Sequence, residues 1–215
     1  MFDIQADLER ELRIREALIQ EVHHRVKNNM QTINSLLRMQ ARKTTNQEVK
    51  DALTDARSRI QAMSIVHDKL SFTTRENVQV MDLIETIASE TKYAYVGDSP
   101  NYTVSVIGSA GICNSSQATS MALIIAEIVQ NSFKHGFKDR DHGSIEIELC
   151  LTPNYFTAII EDDGWGVPSN FCLHDTDSMG ISLVRTLVED DLNGTLSLLP
   201  PSNKQGACFQ LQVPR

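Results

Sequence analysis

The sequence has no run of about 18 consecutive apolar residues, and its opening stretch is dense in charge where a secretory leader would be apolar. Neither a membrane span nor an export signal is expected, and the chain reads as soluble and cytoplasmic. Cysteine is scarce and scattered: Cys113, Cys150, Cys172 and Cys208 form no CxxC and no Cys/His ligand spacing, and apolar residues flank most of them. They read as packed thiols of a reducing compartment, which excludes a disulfide frame or a zinc site. Positive charge is also in deficit. With 20 Lys and Arg against 28 Asp and Glu the net charge is −8, which argues against broad binding to nucleic acid or an anionic membrane. Local basic patches remain able to hold one nucleotide. No internal repeat and no low-complexity segment occurs.

What is present is a chain of 215 residues, 41% of them hydrophobic, long enough for one domain or two small ones. Residues 3–42 contain no Pro or Gly and carry an apolar stripe of Leu8, Leu12, Ile19, Val22, Val26, Met30, Ile33 and Leu37, widened by Leu18 and Leu36. That near-heptad spacing predicts one helix of roughly 60 Å. His24 points away from the stripe among Glu21, Lys27, Asn28 and Gln31, while His23 sits on its flank. A solvated helical histidine and a reactive one both fit that position.

Residues 43–46 are polar and turn-like, with Thr45 or Asn46 able to cap the next helix. This second helix runs to about residue 71, with Val49, Ala52, Leu53, Ala56, Ile60, Met63, His67 and Leu70 on one face. His67 lies on that stripe and reads as a packed core histidine. Two antiparallel helices leave apolar surface on their outer side, so a homodimer forming a four-helix bundle is expected.

Composition shifts at residues 72–78, where the domain boundary falls: 1–75 is the hairpin and 76–215 a second domain. Helices are predicted over 81–95, 116–135 and 180–192, and strands over 102–107, 144–151, 155–161, 195–199 and 207–213. The fold class is α+β: the helical hairpin, then an α/β sandwich whose helices cover one face of a mixed, largely antiparallel sheet.

Three elements of the second domain carry chemistry. Glu127, Asn131, Lys134 and His135 share one helical edge, an arrangement of oxygen ligands and a cation that suits Mg2+ and a triphosphate; an ordinary solvated face would look similar. Asp162-Asp163-Gly164-Trp165-Gly166 follows a strand, so the chain can turn tightly against a ligand while Asp162 accepts from an exocyclic amine. The alternative there is an acidic surface turn. Ser178-Met179-Gly180 opens a helix whose N–H groups suit phosphate oxygens, or is simply capped by Ser178.

Taken in order, His24-Arg25-x-Lys27-Asn28-Asn29, then Asn131 with Glu127 and Lys134, then Asp162-x-Gly164-x-Gly166, then Gly180 and the closing Asn193-Gly194-Thr195 strand resemble the transmitter region of bacterial sensor histidine kinases. The similarity is greatest to the subgroup with an HHRVKNN box, related to the HWE kinases, and it extends from about Arg15 to the end. The resemblance implies a dimerisation and phosphoacceptor hairpin followed by a GHKL-type ATP-binding domain. On the residues that match, it implies phosphorylation of His24 from ATP and Mg2+. Glu21, one turn earlier on the same side of the helix, would hold the Nδ1–H of His24, and Arg25 would attract the γ-phosphate. Asn131 would ligate Mg2+ with Glu127, and Asp162 would bind adenine. Lys134, His135, Gly164, Gly166, Gly180 and Thr195 would complete the nucleotide site, under an ATP lid at residues 167–179.

It further implies transfer to an aspartate of a response regulator receiver domain, and input from an upstream sensor domain or sensor protein. The chain departs from many relatives in having Ser178-Met179-Gly180 where they have Gly-x-Gly, and in a short lid. Two other readings share the fold: a phosphotransfer adaptor with a non-functional ATP-binding domain, and an ATPase or a protein-serine kinase of the anti-sigma type. An exposed histidine on a long hairpin has no use in the latter.

Overall fold

A computed structural model describes residues 2–71, 77–168, 171–173, 178–202 and 205–215. The chain divides into two compact units, Met1–Glu76 and Asn77–Arg215.

The first unit is a hairpin of α1 (Phe2–Lys43) and α2 (Gln47–Ser71). Asn46 supplies the cap of α2, its Oδ1 accepting from the Val49 N–H at 3.3 Å, while Thr44 Oγ1 accepts from the Asn46 N–H at 3.2 Å. Register between the helices is set by two polar bridges, Lys27 Nζ to Asp68 Oδ2 at 2.7 Å and Asn34 Nδ2 to Gln61 Oε1 at 3.2 Å. The core is thin, built on Ala41, Ala62, Ser64 and Val66. This corrects the expected stripe of α2: Val49 and Ala52 are exposed, and Ala62 and Val66 are buried instead. A helix with one neighbour buries the line facing that neighbour, and small residues permit close approach. His67 is half-buried. On α1, Val22 is 59% exposed, and Ile33 and Leu36 are also exposed, so α2 leaves these described positions of the stripe uncovered. The side chains of Leu8, Leu12, Ile19, His23 and Leu70 lie outside the described residues.

In the second unit a five-stranded sheet has the order β2 (Tyr102–Gly108), β4 (Gly143–Leu151), β5 (Tyr155–Asp162), β7 (Cys208–Pro214), β6 (Thr195–Leu199). β2 and β4 are parallel and the other pairings antiparallel. Strand alternation decides the faces. Ile145, Ile147 and Leu149 of β4 and Phe156, Ala158 and Ile160 of β5 are buried, while Glu146, Glu148 and Cys150 face outward. α3 (Val80–Val96), α4 (Ser115–Asn131) and α5 (Met179–Thr186) complete the domain. α4 is the central helix, with Leu123, Ile124, Ile125, Ile128 and Val129 all buried. It begins in a reciprocal capping box between Asn114 and Gln117.

Two three-residue strands escaped the sequence reading: β1 (Asn77–Gln79) pairs antiparallel with β3 (Ile112–Asn114). The helices expected to run on to residues 135 and 192 both end instead in a wide π-type turn, Ser132–Gly136 and Leu187–Asp191. The reading of all four cysteines as packed is also corrected. Cys113 and Cys208 are buried, whereas Cys150 projects from the outer face of β4 and Cys172 is exposed. Among the described residues no helix is long and apolar enough to cross a membrane.

Candidate functional site

Asp162 is the last inward-facing position of β5, which delivers a carboxylate to the end of an apolar strand face, 5% exposed. Burying it requires partners, and the chain supplies three. Oδ1 accepts from the N–H groups of Gly164 at 2.9 Å and Ala207 at 3.2 Å, and Oδ2 accepts from the Ser132 hydroxyl at 2.7 Å. The Asp162 N–H donates in turn to Ala207 O at 2.9 Å.

Three backbone segments converge here because they lack side chains. A Cβ on Gly164 would lie 2.6 Å from the backbone of Gly136, and one on Gly206 would lie 1.7 Å from Asp162 O. Gly166 and Gly206 also have φ of +81° and +105°, a backbone region that disfavours other residues.

Above Asp162 opens a cavity of about 340 Å³. Asn131, Ser132, His135, Gly136 and Lys138 line it from the end of α4 and its wide turn. Gly166, Val167, Pro168 and Phe171 line it from the segment after β5, with Ser178 and Ile181 at the start of α5 and Ala207 and Phe209 on the β7 side. A lining of apolar side chains with a few polar ones suits a planar heterocycle carrying a polar tail. The rim is braced by Trp165, whose Nε1 donates to Lys138 O at 2.9 Å and whose N–H donates to Gly136 O at 3.0 Å. The Arg140 guanidinium lies 5.6 Å from the Trp165 ring and 5.9 Å from that of Phe137, and donates to Asp163 O.

Of the residues expected to bind a nucleotide, Asn131, His135, Asp162 and Gly166 line this cavity, and Gly164 holds Asp162 from beside it. Others fall elsewhere. Glu127 is 2% exposed and lies behind the wall, its Oε2 filling the space that a Cβ on Gly180 would enter at 2.6 Å. It thus braces the start of α5, and no group of three or more His, Cys, Asp or Glu suited to a metal occurs among the described residues. Lys134 is half-buried outside the lining, and Thr195 sits on β6 opposite Gln212, also outside it. Ser178 precedes α5 but makes no side-chain capping bond to it. Residues 169–170 and 174–177 of the expected lid lie outside the described residues.

On the hairpin His24 is exposed. Glu21, the expected partner of its ring, instead accepts from Arg25 Nε at 2.7 Å, and Lys27 is given to Asp68. The sequence reading missed Ser132, Phe171, Ile181 and Phe209. Ser132 left one signal, a hydroxyl ending an otherwise apolar helical face, where burial demands a partner.

Known proteins give a consistent comparison. Residues 21–95 match the family described as histidine kinase, and residues 116–215 match the family of histidine kinase-, DNA gyrase B- and HSP90-like ATPases. The sensor histidine kinase PdtaS of Mycobacterium tuberculosis is 36% identical over 207 residues, 96% of this chain and 41% of that protein. PdtaS of Mycolicibacterium smegmatis is 35% identical over 191 residues, 88% of this chain and 38% of that protein. The chain therefore spans less than half the length of these curated relatives. In fold it is similar to the histidine kinase domain of the Erythrobacter litoralis EL346 blue-light activated histidine kinase, with a TM-score of 0.68 at 18% identity, covering 93% of this chain and 94% of that one.

Proposed function

The chain belongs to the histidine kinase family, and from that premise we propose that it phosphorylates His24 from ATP and passes the phosphoryl group to an aspartate on a response regulator. The observation that carries this reading is the Asp162 carboxylate, held by three donors at the floor of an apolar cavity and still able to accept from a base amine. The apolar side chains of Val167, Phe171, Ile181 and Phe209 would enclose the heterocycle and exclude water.

The phosphates would run toward Asn131 and the start of α5, whose N–H groups favour anions. Asn131 offers the hard carboxamide oxygen that Mg2+ takes, leaving other coordination positions to phosphate and water oxygens. Mg2+ held by Asn131 would offset the charge of the phosphoryl group. Glu127, behind the wall, keeps α5 in place for that contact.

His24 is the acceptor because its side chain is exposed on a helix that fixes its direction. An imidazole attacks when one ring nitrogen carries no proton, the common state at neutral pH. Nε2 attacks the γ-phosphorus in line, a P–N bond forms, the bond to the bridging oxygen breaks, and ADP leaves. Arg25, held by Glu21 one turn earlier, keeps a cation beside the acceptor for the incoming phosphate. The uncovered stripe with Val22, Ile33 and Leu36 supports pairing of two hairpins into a four-helix bundle.

The test is incubation of the full chain with γ-labelled ATP and Mg2+, comparing wild type with His24→Gln and His23→Gln. Acid-labile label lost only in His24→Gln is the expected result. No label and no nucleotide binding in the folded wild type would overturn the kinase reading in favour of a phosphotransfer adaptor.

A further inference from the structure

A carboxylate has about four acceptor positions, two on each oxygen. On Asp162 the N–H groups of Gly164 and Ala207 occupy both positions of Oδ1, and the Ser132 hydroxyl occupies one of Oδ2. One position remains, on the oxygen that Ser132 holds. Ser132 has a single hydroxyl hydrogen and two acceptors in reach, Ile128 O at 3.4 Å and Asp162 Oδ2 at 2.7 Å. The shorter contact, to a charged acceptor, takes the hydrogen. Ser132 also lines the cavity, and with its hydrogen committed it presents only lone pairs there. At Asp162 and Ser132 the cavity therefore offers acceptors: one remaining position on Oδ2 and the oxygen of Ser132.

We propose that Ser132 is a specificity-determining residue for the nucleobase. By tethering Oδ2 of Asp162 it fixes the carboxylate in rotation and makes the cavity floor read one exocyclic amine. Its chemistry fits a 6-aminopurine. A 6-oxopurine would set a carbonyl against acceptors and leave them unpaired, which is costly in a buried site. Ser132 acts through Asp162 and is a positioning residue. It keeps regular helical geometry directly after Asn131, its N–H donating to Ile128 O, at the point where the wide turn Ser132–Gly136 begins. This inference rests on the ATP-binding reading above.

The experiment measures affinity of the full chain, by calorimetry, for ATP and for purine riboside triphosphate, which differs only in lacking the amine. Wild type is compared with Ser132→Ala, Ser132→Thr and Ser132→Cys. Wild type is expected to prefer ATP, and the preference to fall about tenfold in Ser132→Ala, the loss of roughly one well-placed hydrogen bond. Ser132→Thr, which keeps the hydroxyl, retains the preference within about threefold. Ser132→Cys keeps the volume but donates weakly, so it loses the preference as Ala does and serves if the smaller residue unfolds the site.

A merely structural role would weaken both nucleotides equally and leave their ratio unmoved. That result, with ATP still bound by wild type, overturns this inference and spares the proposed function. Failure of wild type to bind ATP overturns both.

Discussion

Replacing Gly206 with Ala tests how tightly the floor of the cavity is built. At φ +105° the new residue occupies backbone space costly for an L side chain, by about 1–2 kcal/mol. Its Cβ would lie 1.7 Å from Asp162 O and 3.2 Å from Asp163 Cα, so the two backbones must part by more than an ångström. That movement pulls on both hydrogen bonds that join these segments, Asp162 N–H to Ala207 O at 2.9 Å and Ala207 N–H to Asp162 Oδ1 at 3.2 Å. The first is worth about 1 kcal/mol and the second, to a charged acceptor, about 1.5–3 kcal/mol. The sum is about 3.5–6 kcal/mol, a large share of the 5–15 kcal/mol typical of a domain.

Urea unfolding followed by circular dichroism measures the loss, and calorimetry with ATP measures the site. Destabilisation by about 3.5–6 kcal/mol with binding weakened at least about tenfold is expected. A loss below about 1 kcal/mol with full affinity would refute the reasoning, because the chain would then have accommodated the methyl group without moving Asp162.

Thiol chemistry separates the cysteines: Cys150 and Cys172 should react rapidly in the native chain, and Cys113 and Cys208 only after unfolding. Burial pushes the thiols of Cys113 and Cys208 up from 9.0 to about 11, with Glu161 adding to the effect at Cys208. The folded state therefore holds protons that the unfolded state releases between pH 9.0 and about 11. Their contribution to stability is complete below that window and is lost as pH rises through it. A urea midpoint that falls as steeply with pH in Cys113→Ser as in wild type would contradict this. On the hairpin, Asp68→Asn removes the 2.7 Å bridge to Lys27, whose partners are 35% and 37% exposed, and should cost about 0.5–1 kcal/mol, less at high salt. An equal loss at low and high salt would show that packing, not charge, was removed.

Helix existence was legible because apolar residues recur at helical spacing along α1, α2 and α4, and the faces of β4 and β5 because Ile145-Glu146-Ile147-Glu148 alternates without a break. The same alternation makes Asp162 conspicuous, a carboxylate at an inward position next to two glycines. What escaped was set by tertiary demand. Strands of three residues such as Asn77–Gln79 are too short to show a period. Along α2 the sequence displays more than one apolar line, and only the presence of α1 decides that Ala62 and Val66 turn inward. Glu127 shares a helical edge with Asn131, but its depth depends on where α5 crosses, which no spacing within α4 records. Thr195 is adjacent to the close-packed Gly194 in sequence, yet a strand alternates and places its side chain on the outer face, opposite Gln212.

Trp165 stands on the rim of the cavity, 63% exposed, its indole tied to Lys138 O between two residues, Gly164 and Gly166, that shape the floor. It is the only tryptophan in the chain, against four tyrosines. Excitation at the red edge of protein absorption therefore selects one chromophore, already in contact with solvent on one side and with the cavity's own backbone on the other. Under the proposed function, filling of the cavity is expected to change the polarity and collisional quenching at that single ring, so a fluorescence titration of the native chain with ATP would report it, with no dye to attach and no other indole to subtract.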